Sequence, residues 1–286
     1  MNLMKHKFIF FIFSFVIILP GLYFLITSGV KLGIDFTGGA LLEYKFKKSI
    51  DKTELKEFGH ITPSGESTYI IRTNILEQEK VKEITNTLKE RFGDVEERRI
   101  EFVGPTIGKE LQSKALIAIS LASLAIVLYI AYSFRKVPKP ASSFRFGICA
   151  IIALLHDVIL VIGAFAILGH FLGVEVDTLF VTALLTIIGF SVHDTIVVFD
   201  RIRENLLKNI GKKFTDVVNI SIVQTLARSL NTSLTVVFVL LALLLFGGES
   251  IKWFVVALLI GIISGTYSSI FNATALLTWW EEKLGH

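Results

Sequence analysis

A histidine and a carboxylate stand side by side in one of the most apolar parts of the sequence. The apolar run Thr178–Phe199 contains His193 and Asp194. A charged side chain in such a segment is costly, so it usually has a partner and faces a protein interior or a water-filled cavity. Imidazole and carboxylate groups can gain and lose protons near neutral pH in suitable surroundings. The pair therefore predicts binding and release of a proton or another ion.

A second pair of the same kind lies in another apolar run. His156 and Asp157 are near the middle of Phe146–Gly169. They could also serve ion movement. A structural role stays open for them and for His193, because polar side chains form hydrogen bonds between membrane helices.

A basic residue, Arg228, is expected to lie close to the carboxylate of Asp194. Arg228 is near the start of the next apolar run, Leu226–Phe246. If consecutive runs cross a membrane in opposite directions, Asp194 and Arg228 lie at similar depth, and we expect an ion pair. Arg228 could instead extend to the membrane surface, and this alternative stays open.

Small and polar residues also recur at helical spacing. In the fourth apolar run, one face is shared by Thr182, Thr186, Gly189 and His193. In the fifth run, one face is shared by Arg228, Asn231, Thr232 and Thr235. In the last run, Gly261 and Gly265 form a G-x-x-x-G pattern, which favours close packing of helices.

The composition indicates that these runs are membrane helices. The chain has 286 residues, of which 52% are hydrophobic, and its mean hydropathy is +0.65. A membrane-spanning helix needs about 20 mainly apolar residues. Six runs meet this requirement: Phe8–Thr27, Ala115–Phe134, Phe146–Gly169, Thr178–Phe199, Leu226–Phe246 and Trp253–Thr278. The first run has no A-x-A-like cleavage site after it, so we interpret it as an uncleaved anchor.

The charges of the short loops predict the orientation. Loops 135–145 and 200–225 are rich in Lys and Arg, whereas loop 170–177 contains Glu175 and Asp177. Because positive loops stay in the cytoplasm, both termini should be cytoplasmic and the long segment Val30–Ser113 extracytoplasmic. The predicted division is an N-terminus with the first helix (1–29), an extracytoplasmic domain (30–113) and helices two to six (114–286).

The extracytoplasmic segment has the pattern of a small α+β domain. Three strands and two helices are predicted in β-α-β-α-β order, which suggests a ferredoxin-like fold. They are Leu41–Phe46, Asp51–Phe58, Thr68–Arg72, Leu76–Phe92 and Val95–Val103. Its charges nearly balance, so nucleic acid is not a predicted partner. The single cysteine, Cys149, offers neither a disulfide nor a metal-binding pattern, and we predict no metal, no organic cofactor and no catalytic site.

Four stretches, taken in order, resemble motifs of the SecD/SecF family of protein-translocase subunits, in its SecF branch. They are G-I-D-F-T-G-G (Gly33–Gly39), G-P-T-I-G-K-E-L (Gly104–Leu111), D-T-I-V-V-F-D-R-I-R-E-N (Asp194–Asn205) and T-L-A-R-S-L-N-T-S (Thr225–Ser233). The resemblance covers nearly the whole chain. The motif residues at the domain junctions are Gly33, Asp35, Gly38, Gly39, Gly104 and Gly108.

The resemblance implies a six-helix half of a resistance-nodulation-division transporter in a bacterial plasma membrane. Its partners would be SecD as a separate chain, the SecY/SecE/SecG channel, and the secreted proteins in transit. It also implies that H⁺ or Na⁺ movement drives export, with Asp194 as the membrane carboxylate and Arg228 as the arginine of the fifth span. His193 stands where the family often has asparagine.

Two other functions remain possible at this stage. The chain could be half of an ion-driven efflux transporter for small molecules, although the outer segment is short for one. It could also be a scaffold of the translocation machinery that transports no ion. Energy supply favours coupling, because a proton crossing about 150 mV gains roughly 3.5 kcal/mol, which is comparable to typical conformational coupling energies.

Overall fold

The computed structural model describes residues 3–65, 67–75, 77–138 and 141–283. Leu76, the predicted first residue of a helix, and Lys139 of the basic loop lie outside the described residues. The helices of the membrane segments are α1 (Lys7–Thr27), α5 (Pro105–Ser133), α6 (Ser143–Leu172), α7 (Thr178–Lys208), α8 (Phe214–Phe246), α9 (Glu249–Tyr267) and α10 (Ala273–Lys283). The shorter helices are α2 (Ile34–Thr37), α3 (Lys52–Leu55) and α4 (Gln78–Phe92). The strands are β1 (Gly39–Phe46), β2 (His60–Pro63), β3 (Thr68–Thr73) and β4 (Val95–Val103).

The described residues contain six helical segments that are long and apolar enough to cross a membrane. They coincide with the six predicted runs but are longer, so the chain is a multi-pass membrane protein built as a helical bundle. Helix α7, for example, continues past the apolar run to Lys208. Its last turns are stabilised by charged pairs three or four residues apart, such as Glu204 with Arg201 and Lys208. A prediction from hydropathy ends with the apolar run and therefore omits such polar helix ends.

The last membrane segment is not a regular helix. Helices α9 and α10 are joined by a π-helical turn, Ser268–Asn272. A π turn adds a residue to the helical turn and is frequent at functional sites. Here it places Ser268, Ser269 and Asn272 in the interior of the bundle, where all three are buried.

The four strands form one antiparallel sheet in the order β2-β3-β1-β4, and we call residues Gly39–Val103 the sheet domain. Helices α3 and α4 follow β1 and β3, so the element order is β-α-β-β-α-β. Strand β2 is absent from the predicted order. It has only four residues and ends at Pro63, a residue confined to edges and ends of strands, so its sequence carries little strand signal.

Glycines allow the helices of the bundle to approach closely. A Cβ atom on Gly163 of α6 would lie 2.9 Å from the Cα atom of Gly21 in α1. A Cβ atom on Gly261 of α9 would lie 2.4 Å from the Ile187 side chain of α7, and one on Gly265 would lie 3.3 Å from Ser191. Helix α9 therefore packs on α7 through the two glycines of its G-x-x-x-G pattern.

We expect Gly163→Ala to destabilise the bundle by about 1–3 kcal/mol, the usual cost of overpacking. The added methyl group would overlap the backbone of α1, which must then move away. Gly147→Ala is the matched control, because the nearest atom to its new Cβ would be 3.9 Å away. Thermal unfolding in detergent compares the two variants. Equal midpoints would contradict the close α1–α6 contact.

Candidate ion-coupling site

The carboxylate of Asp157 is completely buried and accepts hydrogen bonds from three serines. Ser191 of α7 and Ser268 of the π turn each donate to Oδ2 at 2.6 Å, and Ser264 of α9 donates to Oδ1 at 2.8 Å. The Nδ1 atom of His156 lies 3.0 Å from Oδ1. Hydrogen bonds to a charged group are stronger than those between neutral groups, so this cluster ties α6, α7 and the last membrane segment together.

His156 continues this cluster towards α1. Its Nε2 atom lies 3.1 Å from the Asn272 side-chain nitrogen, which also donates to Ser14 at 2.6 Å. A carboxylate only accepts hydrogen bonds, so the tautomer with hydrogen on Nδ1 satisfies Asp157 and leaves Nε2 free to accept from Asn272. The histidine thus bridges two polar partners within the bundle.

Asp194 is equally buried but has fewer partners. The residue is 1% exposed, and its Oδ1 atom lies 3.6 Å from His193 Nδ1. Its Oδ2 atom has no hydrogen-bond partner of standard geometry among the described residues. The hydroxyls of Ser233 and Thr266, 2.5 Å from each other, are close enough to interact with the carboxylate. A buried carboxylate with one unsatisfied oxygen is suited to accept a proton or a cation.

His193 is largely exposed although its neighbour is buried. Its side chain is 59% accessible. The predicted face of α7 is exposed along its length, since Thr182, Thr186 and Gly189 are exposed as well. His193 therefore connects the buried carboxylate to the outer surface of the described chain.

The expected ion pair between Asp194 and Arg228 is not formed among the described residues. Arg228 is exposed, and the side chain of His193 lies beside Asp194 instead. The buried face of α8 instead carries Thr225, Ser229 and Ser233, spaced four apart. Arg228 is one residue away from Ser229, which places it about 100° around the helix.

The exposed face of α8 carries the four polar residues that the sequence grouped together. Arg228, Asn231, Thr232 and Thr235 are all exposed. Helices α7 and α8 pack against each other, and each carries an exposed polar face. Polar side chains at membrane depth rarely face lipid, which indicates that another protein covers these faces.

The glycine motifs pack against each other where the sheet domain meets the bundle. A Cβ atom on Gly108 would lie 2.9 Å from the carbonyl oxygen of Phe36, and one on Gly38 would lie 3.0 Å from Pro105. Gly39 has φ of +140° and would place a Cβ atom 2.5 Å from the Thr73 carbonyl oxygen. Only glycine fits such positions without strain. Gly104, by contrast, has open space around its Cα atom.

Gly33 and Asp35 bind the loop between α6 and α7. The Gly33 amide donates to the Val176 carbonyl at 2.9 Å. The Asp35 carboxylate accepts from both the amide and the hydroxyl of Thr178 at the start of α7. The first glycine motif therefore touches the helix that carries Asp194.

Three charged or titratable residues that were not predicted as site residues meet at the loop between α6 and α7. Arg72 of β3 forms an ion pair with Glu175, and His60 of β2 lies beside it. Burial raises the pKa of Glu175 and of Asp177, and burial lowers the pKa of His60. No sequence spacing links these residues, because the strands and the loop are far apart along the chain.

No group of three or more His, Cys, Asp or Glu side chains in the described part of the chain could hold a metal ion. His156 with Asp157 and His193 with Asp194 form two separate pairs in the described membrane helices.

Two family models match the chain. The model "Protein export membrane protein SecD/SecF, C-terminal" matches residues 83–283. The model "SecD/SecF GG Motif" matches residues 23–50, which include Gly38 and Gly39.

Individual proteins show the same similarity. Protein translocase subunit SecF of Thermobaculum terrenum is 50% identical over 99% of this chain and 94% of that protein. SecDF of Bacillus subtilis is 36% identical, over 98% of this chain and 38% of that protein. The crystal structure of SecDF from Thermus thermophilus, described as a translocon-associated membrane protein, is 31% identical with a TM-score of 0.87. That match covers 99% of this chain, which spans 39% of the SecDF chain.

We expect Asp157→Ala to lower the stability of the bundle by about 3 kcal/mol or more, since each hydrogen bond to a charged group contributes about 1.5–3 kcal/mol. The substitution leaves three buried serine hydroxyls without their acceptor. Thr186→Ala is the control, because its hydroxyl is exposed and donates only to Thr182 of its own helix. The melting temperatures of the purified variants would be compared, and a wild-type value for Asp157→Ala would show that the cluster does not stabilise the bundle.

Proposed function

The chain belongs to the SecD/SecF family of protein-export membrane proteins, and we propose that its helices couple an ion gradient to that export. A SecF-like role in protein export agrees with the SecF and SecDF relatives. An efflux transporter of small molecules is not favoured, because the relatives are named as protein translocase subunits. The ion-coupling step is the part that this chain's own geometry supports.

The observation that carries the proposal is the contrast between the two buried aspartates, Asp157 and Asp194. Asp157 has hydrogen-bond partners on both oxygens. Asp194 has an unsatisfied oxygen and an exposed imidazole neighbour. Of these two aspartates, Asp194 is the one with an oxygen that can accept a proton or a cation without breaking an existing hydrogen bond. We therefore assign ion binding to Asp194 and a structural role to Asp157 and His156.

Protonation of Asp194 changes the charge of a buried site on α7. Removing that charge removes its attraction to any nearby cation and lets the neighbouring helices repack, which is a local event that can bias two arrangements of the bundle. His193 is the exchange group between the carboxylate and the exposed surface. Arg228 is a counter-charge that a rotation of α8 by about one residue, roughly 100°, would bring towards the carboxylate.

SecD is the proposed partner for the exposed polar side of α7 and α8. In Bacillus subtilis and Thermus thermophilus the similar region is one part of a SecDF chain. Polar residues on both helices have no cover within the described chain, and a second membrane half would supply it. The SecY/SecE/SecG channel and secreted proteins in transit are further proposed partners, and H⁺ or Na⁺ is the proposed coupling ion.

We propose the topology that the loop charges predict. Both termini are cytoplasmic, and the segment 30–113 is extracytoplasmic, in a bacterial plasma membrane. Its domain is ferredoxin-like, a proposal supported by the β-α-β-β-α-β order and by the strand order β2-β3-β1-β4. This places the sheet domain on the side where exported proteins emerge.

We expect Asp194→Asn to abolish the part of export that depends on the ion gradient, because the amide cannot take up the coupling proton. Export of a secreted protein into membrane vesicles would be measured with the gradient present and with it collapsed. Asp200→Asn is the matched control: Asp200 lies on the same helix but is exposed and paired with Arg203. It should retain the gradient effect.

The other outcomes of this experiment are informative. A normal gradient effect in Asp194→Asn would sink the assigned role and leave Asp157 or SecD as the ion carrier. Loss of the protein or of its association with SecD would favour a scaffold that transports no ion.

A photo-crosslinking amino acid at Asn231 should form an adduct with SecD, because Asn231 lies on the uncovered polar face of α8. The same group at Leu121, which is 61% exposed on the apolar surface of α5, should form little or none. Adducts would be identified by their mass after irradiation of intact membranes. Equal labelling from both positions would contradict a SecD interface on α7 and α8.

A further inference from the structure

The sheet domain is attached to the loop before α7 by an ion pair. The Arg72 Nε atom lies 3.1 Å from Glu175 Oε2, and His60 Nδ1 lies 3.7 Å from Glu175 Oε1. His60 and Arg72 are directly opposite each other in the β2–β3 register. Two neighbouring strands therefore present their side chains to a single carboxylate of the bundle.

The chain leaving α1 is attached to the same loop by backbone hydrogen bonds. The Val176 amide donates to the Lys31 carbonyl at 2.7 Å, and the Gly33 amide donates to the Val176 carbonyl at 2.9 Å. Leu32 and Val176 thus form a short parallel bridge. The loop is held from one side by this bridge and from the other by the ion pair with Arg72.

Asp35 extends the attachment to α7 itself. Its Oδ2 atom accepts from the Thr178 amide at 3.0 Å and from the Thr178 hydroxyl at 2.6 Å. A carboxylate at a helix N-terminus is favoured by the unpaired amides and by the helix dipole. Asp177 is the N-cap of the same helix and accepts from the Phe180 amide. The first turn of α7 is therefore bound to residues outside the bundle.

Helix α7 continues without a break from this attachment to Asp194. The 16 residues between Thr178 and Asp194 span about 24 Å at 1.5 Å per residue. A packed helix moves as a rigid element, so a rotation or tilt at Asp194 also moves the loop that holds Glu175. Helix α7 therefore connects the buried carboxylate of Asp194 to the loop that contacts the sheet domain.

The ion pair between Arg72 and Glu175 is largely buried, so it favours one defined arrangement of the two side chains. The side chains of Arg72 and Glu175 are 23% and 15% exposed. Burial raises the pKa of Glu175 in spite of the attraction from Arg72 and Lys31, and the charges of Asp177 and Asp35 act in the same direction as burial. Burial also lowers the pKa of His60, with Arg72 and Lys31 adding to it. A charged pair in such surroundings contributes more to one defined arrangement than to stability.

We propose that the Arg72–Glu175 and Asp35–Thr178 contacts form the mechanical link by which α7 moves the sheet domain. This inference rests on the proposed function, since it assumes an ion-dependent movement of α7. Arg72, Glu175 and Asp35 are positioning residues, because they act on α7 and the sheet domain and not on the ion at Asp194. Without the link, Asp194 still binds its ion, but the movement of α7 no longer reaches the sheet domain.

The test reverses the charges of the pair one at a time and together. Arg72→Glu and Glu175→Arg each place two like charges at the contact and should lose the gradient-dependent part of export. The double variant Arg72→Glu/Glu175→Arg restores an attractive pair and should regain much of it. Lys47→Glu is the matched control on the same domain, because Lys47 pairs with Asp94 on the exposed surface. Its export should equal that of the wild type.

The measurements separate this link from the proposed function. Wild-type protein and Asp194→Asn are assayed in parallel, together with membrane level and SecD association for every variant. If Asp194→Asn abolishes the gradient effect while both single reversals keep it, the link is wrong and the proposed function stands. A double variant as inactive as the singles would also overturn the link. If a reversed charge prevents accumulation, Arg72→Gln and Glu175→Gln are used, with the same loss expected and normal coupling contradicting it.

Discussion

The arrangement of the bundle depends on one buried carboxylate, Asp157. Serine hydroxyls from α7, α9 and the π turn converge on its two oxygens, and its neighbour His156 continues the contacts towards α1. The shared carboxylate joins hydroxyls from different helices, so the cluster fixes the helices in one register. This part of α7 is held at Ser191, and we propose that charge changes at the less satisfied Asp194 three residues later.

The same constraint, that polar groups in a membrane need partners, explains the surface of the chain. Inside the bundle the hydroxyls of Thr266 in α9 and of Ser269 in the π turn have hydrogen-bond partners within the chain. On the outer faces of α7 and α8 the polar residues are not covered. This chain spans 39% of the SecDF chain that it matches. Its surface is therefore the one expected of a membrane half that works beside a second membrane half. Its two glycine motifs and Asp35 then connect this bundle to the sheet domain.

The sequence predicted the number of membrane helices and the burial of both aspartates, because hydropathy and the cost of a charge in lipid act locally. The expected ion pair of Asp194 with Arg228 was not found in the part of the chain that the structure describes, and His193 lies beside the carboxylate instead. Helix α8 has polar residues on two faces, and periodicity shows that Arg228 and Thr235 share a face without showing which neighbour that face meets. Strand β2 and the π turn were also missed, since a four-residue edge strand and one extra residue in a helical turn leave no periodic signal. The contact of Arg72 with Glu175 depends on tertiary structure alone.

The most direct test of ion binding at Asp194 is an infrared difference spectrum of the complex with SecD, recorded as the pH is changed. Protonation of a buried carboxyl group produces a C=O band that a carboxylate lacks, so the titrating group is observed itself. The account predicts a titrating band that disappears in Asp194→Asn and persists in Asp157→Asn. A band that persists in Asp194→Asn and disappears in Asp157→Asn would contradict it and assign ion binding to the serine-bound carboxylate.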